Sequence, residues 1–274
     1  MNNNDYLYHY TSVEILALIL KNRSIRFNSL DKMDDLQEQE TSDLRNIGQF
    51  IYISSWTDDE TESIPMWNMY ASLDRGVRIR LKKNPFKLYE NTAESLSGIS
   101  RSSIIDTSQG KSLKSMIPLY DIFSKGFFTN QAINPELLFQ VEYTSDKDKL
   151  YPKMLTSDDN HFAIRLGDLG KHKNLHWEFQ KEWRYVMEII PFNLNQSPEA
   201  MFKEFIVLAN NIRSGTAKQP FPYYDMFLDD EAFADMQITL SPRIGAGSRV
   251  IVQDLIEKYN PSADLKDSCL LGLI

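Results

Sequence analysis

Cysteine is almost missing from this chain: Cys269 is the single one among 274 residues. One thiol allows no internal disulfide framework and no cysteine-built zinc site, and it points to a reducing compartment, the cytoplasm. Histidine is scarce as well, with four residues, His9, His161, His172 and His176. His172 and His176 are four apart, but no glutamate lies between them to complete a metalloprotease pattern, so no metal site is expected. No window approaches the roughly 18 apolar residues that a spanning helix needs. Met1-Asn2-Asn3-Asn4-Asp5 is not a basic region followed by an apolar one, so neither export nor membrane insertion is expected. Positive charge is also short: 30 Lys and Arg stand against 38 Asp and Glu, a formal net charge of −8. Such a chain has no global attraction for nucleic acid, and a polyanion would have to be met by a local basic patch. Gly245-Ala246-Gly247-Ser248 lacks the lysine of a phosphate loop, and no Gly-x-Ser-x-Gly surrounds Ser54-Ser55.

What the chain does have is 42% hydrophobic and 12% aromatic residues, ample for a packed core. Leu7 to Tyr10 reads as an aromatic strand, and Thr11 with Glu14 has the capping-box spacing that opens a helix carrying Val13, Ile15, Leu16, Ile19 and Leu20. Ser24 to Asn28 is the next strand, and the acidic run from Asp31 to Asp43 reads as a solvated loop with a short helix. Phe50 to Trp56 is a continuous apolar strand, and Pro65 to Tyr70 is a helix of about two turns with proline at its start. Val77 to Leu81 alternates as a half-buried strand with Arg78 and Arg80 outward, and Lys82-Lys83 extend its cations. That cluster is either a protected edge strand or a phosphate-binding strip.

Beyond it, the spacing predicts an insertion near 91–135, a strand over Phe139 to Tyr143 and a helix over His161 to His176. A helix from Pro198 with a strand-like end at Phe205 to Leu208 follows, then a strand at Ile238 to Leu240. A helix over Arg249 to Tyr259 capped by Ser248 and a final strand at Cys269 to Ile274 complete the reading. No repeat or linker interrupts this order, which predicts one α+β domain over 1–274.

The stretch from Trp177 to Ile190 organises the rest. From Glu182 it alternates as a strand, with Arg184, Val186 and Glu188 on the Glu182 face and Trp183, Tyr185, Met187 and Ile189 on the other. A carboxylate where a sheet begins, beside Arg184 and two tryptophans, is a candidate for chemistry. A surface ion pair of Glu182 with Arg184 or Lys181 is the plainer alternative. His9, on an aromatic strand beside a capped helix, reads on local pattern as a buried histidine donating to a backbone carbonyl.

Four blocks, LYHYTSVEILALILKNRSIRFNSLDKMDD, ISSWTDDETESIPMWNMYASLDRGVRIRL, FQVEY and HWEFQKEWRYV, together resemble a widespread bacterial family defined as a domain of unknown function. The same order of parts is more distantly similar to the DarT-type nucleic-acid ADP-ribosyltransferases, matched here by His9-Tyr10-Thr11, by Pro65-Met66-Trp67 with Tyr70, and by Gln180-Lys181-Glu182-Trp183. The resemblance implies a split, mixed or antiparallel sheet with flanking helices, and NAD as substrate. It implies Glu182 as the catalytic carboxylate at the ribose, because cleavage of the nicotinamide–ribose bond passes through an oxocarbenium-like state, as glycoside cleavage does. By the same resemblance His9 and Thr11 bind the NAD ribose or carboxamide, and Trp67 and Tyr70 offer stacking surface. Arg26 is the cation chosen for the pyrophosphate, with Arg78 and Arg75 as alternatives.

These implications describe a toxin or phage-defence effector, with an antitoxin protein as a partner and DNA or RNA as acceptor through Arg78, Arg80, Lys82 and Lys83. Two alternatives stay open: a non-enzymatic module, antitoxin or sensor, that binds a nucleotide or a protein, and hydrolysis of NAD with water as acceptor.

Overall fold

The computed structural model describes residues 5–91, 113–129, 137–157 and 162–274. Strand β1 (Tyr6–Ser12) runs directly into helix α1 (Val13–Asn22). The cap is Ser12 rather than the expected Thr11: the Ile15 amide donates to Ser12 Oγ at 3.3 Å, while Thr11 stays in the strand opposite Val77. Val13, Leu16, Ile19 and Leu20 are the buried stripe of α1, and Leu16→Ala would cost about 2–5 kcal/mol. Arg23, left-handed at φ 52°, ends the helix and turns the chain into β2 (Ser24–Ser29).

The remaining elements that place the site are β3 (Ile51–Thr57), α2 (Ile64–Met66) continued by a π-turn over Trp67–Ala71, β4 (Gly76–Lys82), β5 (Leu138–Gln140) and β6 (Glu182–Glu188). After them come α3 (Pro198–Ser214), β7 (Tyr223–Phe227), β8 (Gln237–Leu240), α4 (Ala246–Tyr259) and β9 (Asp264–Lys266). The architecture is α+β. Nine strands make one sheet in the order β7-β2-β3-β1-β4-β8-β9, with β6 on β3 and β5 on β6. The β8/β9 pair is parallel and the other pairs of this sheet are antiparallel.

The sheet forks at β3. Along one edge β6 pairs with its whole length, from Glu182 opposite Thr57 to Glu188 opposite Ile51. The opposite edge is shared: β2 holds it at Tyr52 and Ile53, and β1 holds it only where Tyr8 meets Thr57. Between those contacts β1 and β2 diverge, and Ser54, Ser55 and Trp56 face the opening. A backbone carbonyl in such an opening needs another donor. The Ser55 carbonyl finds it in the His9 ring, whose Nδ1 lies 2.8 Å away.

On one side of the sheet a core of Leu7, Leu16, Ile25, Phe27, Ile79 and Met187 packs with α1 and α4. On the other, Ile47, Phe50, Ile51, Ile53 and Leu166 gather with Ile212 of α3. A third, smaller group, Tyr10, Trp67 and Ala71 with Leu270 against them, covers the β1/β4 rows. Among the described residues no helix is long and apolar enough to cross a membrane.

Several expectations are corrected. The acidic run is a solvated face only in part: Asp34, Glu40 and Asp43 are exposed, but Asp35 and Glu38 are buried, and cations from distant segments meet Glu38. The helix expected over His161 to His176 is instead a strand at Phe162–Ile164 paired with Leu155–Ser157, a strand at His172–Asn174 paired with Glu142–Thr144, and a 3-10 turn over Leu175–Gln180. Here inter-strand pairing overrides a weak helical period; His161 itself lies outside the described residues. Phe205 to Leu208 continue α3 to Ser214, and Gly245, not Ser248, caps α4. Residues 269–274 form turns rather than a strand. Of the insertion near 91–135, residues 92–112 and 130–136 lie outside the described residues, and the rest includes a helix at Leu119–Lys125.

Of the two readings of the basic strip, the protected edge is corrected: β4 lies inside the sheet, between β1 and β8. Arg78 is buried and donates to the Glu60 carbonyl at 2.9 Å, with its guanidinium 4.6 Å over the Tyr8 ring. Arg80 lies 4.1 Å over Tyr6, Lys82 faces Glu231 and Asp235 at 3.4 and 3.9 Å, and Lys83 lies 4.5 Å over Trp183. Acids pair with Lys82, whereas Arg80 and Lys83 meet aromatic rings.

Candidate active site

A two-lobed cleft opens in the fork. Its inner lobe, about 100 Å³, is floored by Glu182, Arg184, Lys173 and Glu38. Glu182 and Arg184 are two apart on β6 and therefore share a face. Arg184 grips both carboxylate oxygens, Nε to Oε1 at 2.6 Å and Nη2 to Oε2 at 3.0 Å. Lys173 bridges the second oxygen of Glu182 at 3.1 Å and Glu38 Oε1 at 2.9 Å, and Arg184 Nη1 closes the ring on Glu38 Oε2. Two acids and two cations, with side chains at most 6% exposed, make a charge-neutral group. Charges buried this deeply need such complete pairing, since each lost partner leaves an uncompensated ion.

Burial alone would raise the Glu182 carboxyl, but Arg184 and then Lys173 overcome it and hold it at about 2. Glu182 is thus ionised throughout the ordinary pH range, a fixed negative charge rather than a proton carrier. The local backbone aims it: Lys181, left-handed at φ 45°, ends the Leu175–Gln180 turn and starts β6. Tyr143 OH accepts the Glu182 amide at 2.8 Å, and Arg184 Nη1 donates to the carbonyl of Gly170 at 2.8 Å. Gly170 sits at φ 82°, where a side chain would be strained.

The wall opposite the floor is aromatic. The His9 ring packs against Trp56 at 5.0 Å, tilted by 38°, and burial pushes its imidazole pKa down, outweighing the Ser55 bond. The ring is neutral, with Nδ1–H given to Ser55 and Nε2 left as an acceptor. Tyr70 enters from the π-turn and takes a hydrogen bond from Gln180 Nε2, while Gln180 Oε1 accepts from Lys173 at 2.8 Å. Burial, then the charges of Asp34 and Glu182, keep the Tyr70 phenol raised and protonated.

The outer lobe, about 310 Å³, runs between α1 and β2. Ile15, Leu18, Ile19 and Ile25 give it an apolar wall, and Thr11, Asn28, Arg26 and Lys32 a polar one. Arg26 is held by Asp225 through two bonds at 2.9 and 3.1 Å and lies 3.5 Å over Tyr223.

Five of the six residues given a catalytic or NAD-binding role in the sequence therefore line the cleft: Glu182, His9, Thr11, Arg26 and Tyr70. Trp67 does not. Its ring is fully buried behind Tyr10, edge-on at 4.9 Å, and its Nε1 donates to Glu62 at 3.0 Å, so it supports the wall from behind instead of stacking on a ligand. Arg75 and Arg78 line neither lobe. The ion pair of Glu182 with Arg184 is real but buried, and Lys181 pairs with Asp59 at 2.6 Å instead. Sequence reasoning missed Glu38, Lys173 and Asp34. Lys173 carries a weak signal, a cation nine residues before Glu182 on the approach to Trp177; Glu38 and Asp34, inside an acidic run, carry none.

No family model matches the chain, and no curated protein matches its sequence.

Proposed function

We propose that the protein is an NAD-dependent ADP-ribosyltransferase whose reaction takes place in the forked cleft, with Glu182 as the catalytic carboxylate. One observation carries the reading: His9 and Glu182, from strands far apart in sequence, line the same hollow. The fork between β1 and β2, which fits the split sheet of such enzymes, supports it further. So does the shape, a small aromatic-walled lobe for a nicotinamide ring and a larger lobe with Arg26 and Lys32 for phosphate and the second nucleoside. Glu182, ionised and fixed, suits stabilisation of the positive charge that develops on the ribose when the nicotinamide bond breaks. His9 Nε2 accepts from a ribose hydroxyl or the carboxamide.

A bacterial toxin or phage-defence role, a nucleic-acid acceptor and a neutralising antitoxin belong to this proposal through the sequence resemblance. The engagement of Arg78, Arg80, Lys82 and Lys83 gives the nucleic-acid acceptor no support. A second reading, a nucleotide-binding module without turnover, is favoured by one feature: Arg184 and Lys173 leave Glu182 fully neutralised.

Calorimetry with NAD, followed by assay for released nicotinamide and mass analysis of DNA, RNA and protein incubated together with the enzyme, separates the readings. Nicotinamide release with a mass increment on a macromolecule is the expected result. Release without an increment indicates hydrolysis, and binding without release indicates the module. Absence of binding ends the NAD reading.

A further inference from the structure

Four acids line the cleft, and three of them are occupied. Lys173 and Arg184 clamp Glu38 and Glu182, and Asp225 holds Arg26. Asp34 is the fourth, exposed on the loop between Leu30–Lys32 and the buried Glu38. Among the described residues no hydrogen bond or ion pair engages it. It is one of six residues common to both lobes, with His9, Tyr10, Met33, Ser55 and Tyr70. Asp34 thus stands where the inner lobe opens to the outer one and to solvent, close enough for its charge to act on the Tyr70 phenol.

On the transferase reading, we infer that Asp34 is the base of the transfer step, orienting the acceptor and taking its proton. The bond between C1′ of the ribose and the nicotinamide nitrogen breaks, and its electron pair leaves with nicotinamide. A lone pair of the acceptor's O–H or N–H forms the new bond to C1′, and the acceptor proton passes to the Asp34 carboxylate and on to water. Two carboxylates in one site take different tasks because their surroundings differ. Glu182, locked below, meets the sugar's charge, and Asp34, free at the mouth, meets the incoming group. His9 is the rival at the junction. Its enclosed ring already gives Nδ1–H to Ser55, whereas Asp34 is exposed to solvent. The charged and titratable groups that line the two lobes with Asp34 are Lys32, His9, Tyr8 and Tyr10 from β1, Tyr70 from the π-turn, Arg26 with Asp225, and the floor of Glu38, Lys173, Glu182 and Arg184.

The test is NAD binding and nicotinamide release for the full-length wild type, Asp34→Asn and Asp34→Glu. Asp34→Asn is expected to bind NAD as the wild type does and to lose about 10²-fold or more in turnover; Asp34→Glu recovers part of the rate. Asp34→Asn turning over at the wild-type rate overturns the assignment while the transferase reading stands. So does a loss that falls on NAD binding alone, which makes Asp34 a binding group. A wild type that binds NAD and releases no nicotinamide removes the transferase reading, and this inference with it.

Discussion

Arg184 holds both oxygens of Glu182 from two positions along the same strand, at 2.6 and 3.0 Å, and neither side chain is more than 4% exposed. A pair at this spacing on a surface strand would contribute little. Buried, and tied to Lys173 and Glu38, it couples the floor of the cleft to the stability of the fold.

That coupling predicts the cost of breaking it. Glu38→Ala leaves Arg184 and Lys173 with one anion between them, and unfolding free energy should fall by about 3–5 kcal/mol. Urea denaturation of the variant against wild type measures this; a loss below about 1 kcal/mol, the range of exposed pairs, contradicts the buried ring.

Acid should destabilise the protein in two stages. An unfolded histidine titrates near about 6.5, whereas burial lowers His9 in the fold, so its contribution is present above that value and is lost as pH falls below it. Glu182 sits at about 2 when folded, below an unfolded glutamate, so its contribution is present above the ordinary carboxylate range and is lost as pH falls toward 2. Melting temperature measured against pH should show both stages, with His9→Gln removing the upper one and Glu182→Gln the lower.

Trp67 gives a prediction that separates the structure from the sequence expectation. In Trp67→Phe the Glu62 carboxylate loses the indole donor but keeps the Ser268 and Cys269 groups. Stability should drop by about 1.5–3 kcal/mol, with nucleotide affinity unchanged, because the ring does not line the cleft. A loss of affinity without a loss of stability would restore the stacking role.

Tyr70→Phe removes the acceptor for Gln180 Nε2. An orphaned buried amide costs about 1–3 kcal/mol, and the same substitution made together with Gln180→Ala should cost less. A double-mutant cycle by thermal denaturation reads the difference.

Much of this fold was legible where local chemistry decides it. The aromatic and β-branched runs gave β1, β2, β3 and β6, and alternation alone put Glu182, Arg184 and Val186 on one face, as the register confirms. The proline at the start of α2 was equally readable. What escaped was set by long-range pairing. Glu38 looks solvated beside Asp34, Asp35 and Glu40, and only the arrival of Lys173 and Arg184 buries it. Arg78 looks outward by alternation, and only the covering of Trp67 and Leu270 over the Tyr10 row encloses that face. The fork itself depends on how far β1 and β2 stay paired with β3, which no residue pattern encodes.

The proposed cleavage of NAD in the forked cleft, with Glu182 at the ribose, is decided by nicotinamide release from wild type and Glu182→Gln, with folding matched by circular dichroism. Steady release is expected from the wild type, and a loss of several orders of magnitude in the variant. Equal release from both, or none from a wild type saturated with NAD, would contradict it.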